Sequence, residues 1–268
     1  ISDWNNILDE IVSKTNNNII CIECYSGTHK EELISNFQKI PNVLFVNSDD
    51  YFKSESEILN MTQNFMRDDV LFGYLSNLKI EDYLDEARVT KVREEIASYK
   101  NRGNIIVFGY GSSLVANPDI LIYADMPRWE IQQRMRKSQV TALGVDNRKD
   151  PFSIQFKRGF FIDWHVLDKH KKKLFKKVDY WLDTVKDKPK LIDRDTFFKG
   201  IDITANSPFR VVPFFDPAPW GGQWMKEVCG LDKSVENYGW CFDCVPEENS
   251  LLFNIQGELF EMPSINLI

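Results

Sequence analysis

Four short apolar runs, all but the third followed by a stretch with helical spacing, constrain this chain more than any other feature. The strands read from them are Ile19–Ile22, Val43–Val46, Asn104–Phe108 and Ile120–Ala124, the third opening on Asn104 before its apolar residues. Strands covered on both faces read as continuous apolar runs, because neither side of the pleat meets water. Between them the apolar residues recur every three or four positions. Trp4, Ile7, Leu8, Ile11 and Val12 share one face of a helix read over Asp3–Ser13, and Lys30–Ile40, ended by Pro41, marks another. A helical region with a loop is predicted over 55–101, and further helices over 128–137 and 154–184. Strands separated by helices imply βαβ units, so the expected fold class is α/β, with a mostly parallel sheet and helices on both faces.

This first unit is predicted over residues 1–185. The charged stretch Lys186-Asp187-Lys188-Pro189-Lys190 reads as a boundary, with a linker over 186–206. A smaller β-rich segment is expected over 207–268, with strands at 238–245, 250–255 and 258–262 and a turn at Gln256-Gly257.

Composition narrows the partners. The chain carries 33 Lys and Arg against 40 Asp and Glu, a formal charge of −7. An acidic chain is poorly matched to phosphate backbones and anionic membranes, so neither nucleic acid nor membrane is expected as a partner. No apolar run approaches the roughly 18–20 residues of a bilayer span. Five cysteines leave one unpaired, and no secretory signal is read at the start, where Ile1 stands in place of Met. Those features suggest a reducing, cytoplasmic setting. Oligomeric state is not legible.

The sharpest local signal is the junction Ile19-Ile20-Cys21-Ile22-Glu23-Cys24-Tyr25-Ser26-Gly27-Thr28-His29-Lys30-Glu31. It reads as strand, loop and helix with a lysine at the helix start, where a phosphate-binding loop turns its N–H groups toward an anion. Gly27, Thr28 and Lys30 are the candidate phosphate-binding residues. Of the pattern G-x-x-x-x-G-K-[ST] only Lys30 is kept, because Cys24, His29 and Glu31 fill the other positions. Glu31 replaces a metal-binding hydroxyl with a negative charge. Against one phosphate charge roughly 5 Å away, that costs about 3 kcal/mol at an effective dielectric of about 20. Thr28-x-x-Glu31 also fits an ordinary capping box.

Further motifs carry a resemblance. Val46-Asn47-Ser48-Asp49-Asp50-Tyr51-Phe52-Lys53, Asp68-Asp69-Val70-Leu71-Phe72-Gly73 and the stretch Asp119–Lys137 follow in order. Together, over about 17–185, they resemble the uridine kinase and phosphoribulokinase group of P-loop kinases. The resemblance implies a general base at Asp49 and lid arginines at Arg134 and Arg136 facing nucleotide phosphates. Val107-Phe108-Gly109 stands where that group has a metal-holding Glu before Gly, so Mg²⁺ loses a second ligand. The expectation is therefore a degenerate kinase-like domain. Without the resemblance, Arg134 and Arg136 read as a solvated helix face. The basic run Lys169, Lys171, Lys172, Lys173, Lys176 and Lys177 reads the same way.

Pro219-Trp220-Gly221-Gly222 resembles the entry to the cupin barrel of class I mannose-6-phosphate isomerases. That resemblance implies sugar-phosphate chemistry on a zinc ion held by barrel residues. All three histidines (His29, His165 and His170) precede Trp220, so no zinc ligand is assigned here. The chain then reads as the front of a longer polypeptide or as a truncated relative. Two C-x-x-C spacings, Cys21/Cys24 and Cys241/Cys244, lie in strand-like runs and read as buried thiols rather than a zinc site.

The function expected is that of a sugar-phosphate-metabolism protein, with a degenerate kinase-like domain joined to the start of an isomerase-like region. No cofactor is expected in this chain itself. A small phosphorylated sugar or a nucleotide is the expected partner. Two other readings stay open: an active small-molecule kinase using ATP and Mg²⁺, and a noncatalytic phosphate- or nucleotide-sensing module.

Overall fold

The computed structural model describes residues 1–69, 71–206, 250–255 and 257–263. Six strands form one sheet: β1 (Ile19–Cys24), β2 (Val43–Asn47), β3 (Asn104–Gly109), β4 (Ile120–Asp125), β5 (Tyr180–Asp183) and β6 (Lys190–Asp193). Their order is β2-β3-β1-β4-β5-β6. The first five strands run parallel, and β6 is antiparallel to β5. Every residue of β4 and β5 is buried, as is all but the first of β1 and β3. Such strands need cover on both faces, and the fold is α/β as the apolar runs imply.

Helices α1 (Trp4–Ser13), α2 (Lys30–Phe37), α3 (Glu55–Met66), α4 (Glu86–Tyr99), α5 (Ser112–Val115), α6 (Arg128–Arg136), α7 (Phe152–Arg158), α8 (Trp164–Leu174) and α9 (Arg194–Ala205) supply that cover. Their starts are set by short polar side chains. Asp3 accepts from the Asn6 N–H at 3.1 Å, and Asp85 from those of Ala87 and Arg88. Ser54 and Glu57 close a capping box at α3. The buried stripes are Ile7, Leu8 and Ile11 on α1, and Val89, Val92 and Ile96 on α4.

Three expectations change. The helix predicted over 154–184 is α7, a π-helical turn at Gly159–Asp163 and α8, which ends at Leu174. Tyr180–Asp183 is instead the fifth strand, buried between β4 and β6. Its four residues are too few to establish a period of two, and the helical stripe before them masked the change. The stretch read as a linker, 186–206, holds β6 and α9. Lys186–Pro189 is only the turn that reverses β5 into β6, so the sheet does not end near Val185. Ile1–Asp3 lie alongside this edge, with the Leu191 N–H donating to the Ile1 carbonyl at 2.8 Å.

The third change is at the start of α2, where the Thr28–Glu31 capping box does not form. His29 is the N-cap residue and makes no side-chain cap bond. The Thr28 hydroxyl turns inward and donates to the carbonyls of Tyr25 at 2.8 Å and Ala124 at 3.3 Å.

Strands β7 (Ser250–Ile255) and β8 (Glu258–Pro263) form an antiparallel hairpin, and Gly257 takes a φ of 90° in its turn. Phe260 is buried, and Lys190 bonds the Leu259 carbonyl. Pro219–Gly222, Cys241, Cys244 and the strand expected over 238–245 lie outside the described residues. Among those described, no helix is long and apolar enough to cross a membrane.

Candidate functional site

In an open α/β sheet, ligands settle outside the carboxyl ends of the strands, where the chain leaves adjacent strands in opposite directions. Here the chain leaves β1 toward β2 and leaves β4 toward β5, so the point of reversal falls between β1 and β4. The loop 25–29 follows β1 at that point, and Tyr25, Ser26 and Thr28 in it are buried.

Four of the six candidate residues sit at this edge. Gly27 has a φ of 84°, and a Cβ there would lie 2.8 Å from Ile131 Cγ1 on α6. A side chain is therefore excluded both by conformation and by the close packing of α6. Lys30 begins α2, and its ammonium forms an ion pair with Asp49, which stands on the 3-10 turn Ser48–Tyr51 after β2. The Lys30 Nζ also lies 3.5 Å from the centre of the Tyr110 ring, a cation–π contact. The second Asp49 oxygen accepts from the Tyr110 N–H at 3.0 Å. Thus the candidate phosphate ligand and the candidate base are joined to each other and covered by Tyr110. Thr28 points inward, as described.

Arg134 is drawn into the protein and does not form a solvated helix face. It is buried, and its three nitrogens donate to Glu130, to the Gly27 carbonyl at 2.8 Å and to the Thr184 carbonyl at 3.1 Å. Its charge therefore holds the loop from behind. Arg136 lies over the Phe152 ring at 3.7 Å. Burial, and next the Arg134 charge, hold the His29 imidazole below its ordinary range, so it adds no cation to the loop near neutral pH.

Behind the loop lies a buried polar layer that the sequence reading did not single out. Glu23, 1% exposed near the end of β1, accepts from the N–H groups of Gly111 at 3.0 Å and Ser113 at 2.8 Å. It also accepts from the Ser113 hydroxyl at 2.5 Å and lies 3.0 Å from His170 Nε2. Burial alone would raise this carboxyl. His170 and the Ser113 groups outweigh it, and the pKa ends below the usual carboxylate value. Next to it Asp125, at the end of β4, pairs with Lys171 from α8. Burial pushes Asp125 up, and Lys171 opposes that shift. Lys171 lies between 5.3 and 5.7 Å from the rings of Tyr25, Tyr123 and Trp181. Asp168 accepts from the Tyr25 hydroxyl at 2.6 Å and from Arg128 at 2.5 Å.

The basic run on α8 is thus not one solvated face. Lys171 is buried, Lys169 bonds the Ser76 carbonyl at 2.8 Å, and Lys173 pairs with Glu81 at 2.9 Å. The signal was present: Trp164, Leu167, Lys171 and Leu174 follow the spacing of one helical stripe, with Lys171 on its apolar side. Likewise, Glu23 and Asp125 are acids at the ends of otherwise apolar runs.

Cys21 and Cys24 are free and buried, and burial pushes the Cys24 thiol up to about 12. No group of three or more His, Cys, Asp or Glu side chains among the described residues could hold a metal ion.

No curated protein matches this sequence. The model of one family, described as "Domain of unknown function (DUF8485)", matches residues 3–206, a range that takes in the whole six-stranded sheet and α9. The match covers most of the chain, which therefore belongs to that family.

Proposed function

We propose that the six-stranded unit is a kinase-like domain that has ceased to transfer phosphoryl groups, and that it supports the segment after residue 206 within a protein of sugar-phosphate metabolism. The observation that carries the first half is the Lys30–Asp49 ion pair beneath Tyr110. A transferring site needs the lysine on phosphate and the carboxylate on the acceptor hydroxyl, and here each charge is spent on the other. The acid at position 31 and the inward use of Arg134 weigh in the same direction. The second half is supported by the Pro219–Gly222 resemblance alone.

Calorimetric titration with ATP, with and without Mg²⁺, tests the reading. The expected result is no Mg²⁺-dependent binding tighter than about 100 μM, a free energy of about −5.5 kcal/mol, and no ADP formed with nucleosides or sugars as acceptors. Mg²⁺-dependent binding below that value, with turnover abolished by Lys30→Ala and by Asp49→Asn, would establish an active kinase instead. Phosphate or nucleotide binding without turnover, lost in Lys30→Ala, would establish a sensing module.

A further inference from the structure

Residues 71–77, between α3 and the 3-10 turn Ile80–Tyr83, take no part in the Lys30 site. They hold four large side chains in water. Leu71, Phe72, Tyr74 and Leu75 are 66%, 68%, 56% and 58% exposed. Elsewhere among the described residues, exposed apolar side chains of this size stand singly along the chain. Single ones need no explanation, and a contiguous group does.

The backbone of this stretch is fastened from behind. The Asp69 carboxylate accepts from the Leu71 N–H at 2.7 Å and the Phe72 N–H at 2.6 Å, and Lys157 from α7 bonds the Asp69 carbonyl. The Tyr74 N–H donates to the Phe65 carbonyl on α3 at 2.8 Å, and the Ser76 N–H to the Phe161 carbonyl on the π-helical turn at 2.7 Å. Lys169 from α8 donates to the Ser76 carbonyl at 2.8 Å. Arg67 lies 4.6 Å from the centre of the Tyr74 ring and bonds its hydroxyl. The apolar side chains are thus displayed on a held frame, which loses little conformational freedom when a partner arrives.

The same bonds leave a free edge. Tyr74 and Ser76 donate inward, whereas the N–H groups of Leu75 and Asn77 bond no group among the described residues. N–H groups that alternate in this way belong to an edge, which can pair with a second extended chain.

We propose that this segment joins two copies of the chain about a two-fold axis. At about 200 Å² for each large side chain, the four exposures leave roughly 500 Å² in water. Two copies face to face would bury about 1,000 Å², the lower bound for a specific interface, so the dimer is weak and reversible. A two-fold axis sets identical segments antiparallel, so the Leu75 and Asn77 N–H groups of both copies gain partners at once. The rim also suits a copy. Exposed Arg67 stands next in sequence to exposed Asp68 and Asp69, so the patch carries both signs and is self-complementary. An anionic bilayer would instead meet those acids and a chain of formal charge −7. The inference goes beyond the preceding reading and stands whether or not the Lys30 turn binds nucleotide.

Sedimentation velocity of the full chain across the micromolar range tests it. The expected result is a monomer–dimer equilibrium with a dissociation constant of about 1–100 μM. Phe72→Ser is expected to raise that constant at least about 30-fold, because it removes an anchor from both sides. The melting temperature of the dilute protein is expected to hold, since the side chain is exposed. Phe72→Asp is expected to abolish the dimer. Hydrogen exchange gives a second readout: the Leu75 and Asn77 amides gain protection as wild-type concentration rises, and do not in Phe72→Asp. Four results would each overturn the proposal: a monomer at every concentration, a dimer that Phe72→Asp leaves intact, amide protection that does not vary with concentration, or open-ended aggregation without a dimer plateau. Binding to phosphatidylserine-containing vesicles by a chain that stays monomeric would assign the patch to a membrane surface and overturn it too.

Discussion

Glu23→Ala is expected to lose about 3–5 kcal/mol of folding stability in urea titrations, the scale for removing one side of a buried, hydrogen-bonded charge system. The glutamate joins three elements. Its oxygens hold the Gly111 and Ser113 N–H groups at the start of α5, the Ser113 hydroxyl and His170 from α8. An ionised carboxylate only accepts, so His170 Nε2 carries the hydrogen it offers. Alanine would strand all four donors in a place water does not reach. The pH dependence follows from the lowered carboxyl pKa. A pKa depressed in the folded state contributes stability above the unfolded value, near 4.5, and that stability is lost as pH falls through the folded value. Wild type should therefore lose more stability than Glu23→Gln between pH 5 and acid, and a parallel loss in both would contradict this account of the pair.

Lys171→Met is expected to cost a comparable amount, about 3–5 kcal/mol, because it leaves the Asp125 carboxylate buried and unpaired. Asp125 is already pushed up by burial with Lys171 holding it down, so in the variant its pKa rises further. The penalty should accordingly be larger at pH 7 than at pH 5, where the carboxyl can take up a proton. The double variant Lys171→Met/Asp125→Asn should recover more than half of the loss, since neither charge then remains in the apolar layer formed with Tyr25, Tyr123 and Trp181. Were Lys171 on a solvated face, as its lysine-rich neighbours suggest, the single change would cost under about 0.5 kcal/mol. The urea midpoint separates the two cases.

These two residues also mark what could be read without coordinates. Four of the five parallel strands were legible because burial on both faces writes itself as an apolar run, and Ile19–Ile22 and Ile120–Ala124 are such runs. Strand β5 was not, because its four residues follow a long helical stripe, and β6 was hidden behind a lysine- and proline-rich turn that looks like a domain boundary. At the site, the strand-loop-helix pattern pointed to Lys30 and the kinase resemblance to Asp49, 19 positions apart, but neither signalled that they pair. That pairing depends on β2 lying two strands from β1, a property of sheet order. Arg134 shows the same limit. Its helix carries alternating charges that suggest solvent, yet the loop carbonyl of Gly27 and that of Thr184 draw the side chain inward.

The most direct test of the proposed loss of phosphoryl transfer is a crystal soaked with a non-hydrolysable ATP analogue and Mg²⁺. The account predicts an intact Lys30–Asp49 ion pair beneath Tyr110, with no phosphate density at the 25–30 loop. A γ-phosphate bound to Lys30, with Asp49 released toward a coordinated cation, would contradict it.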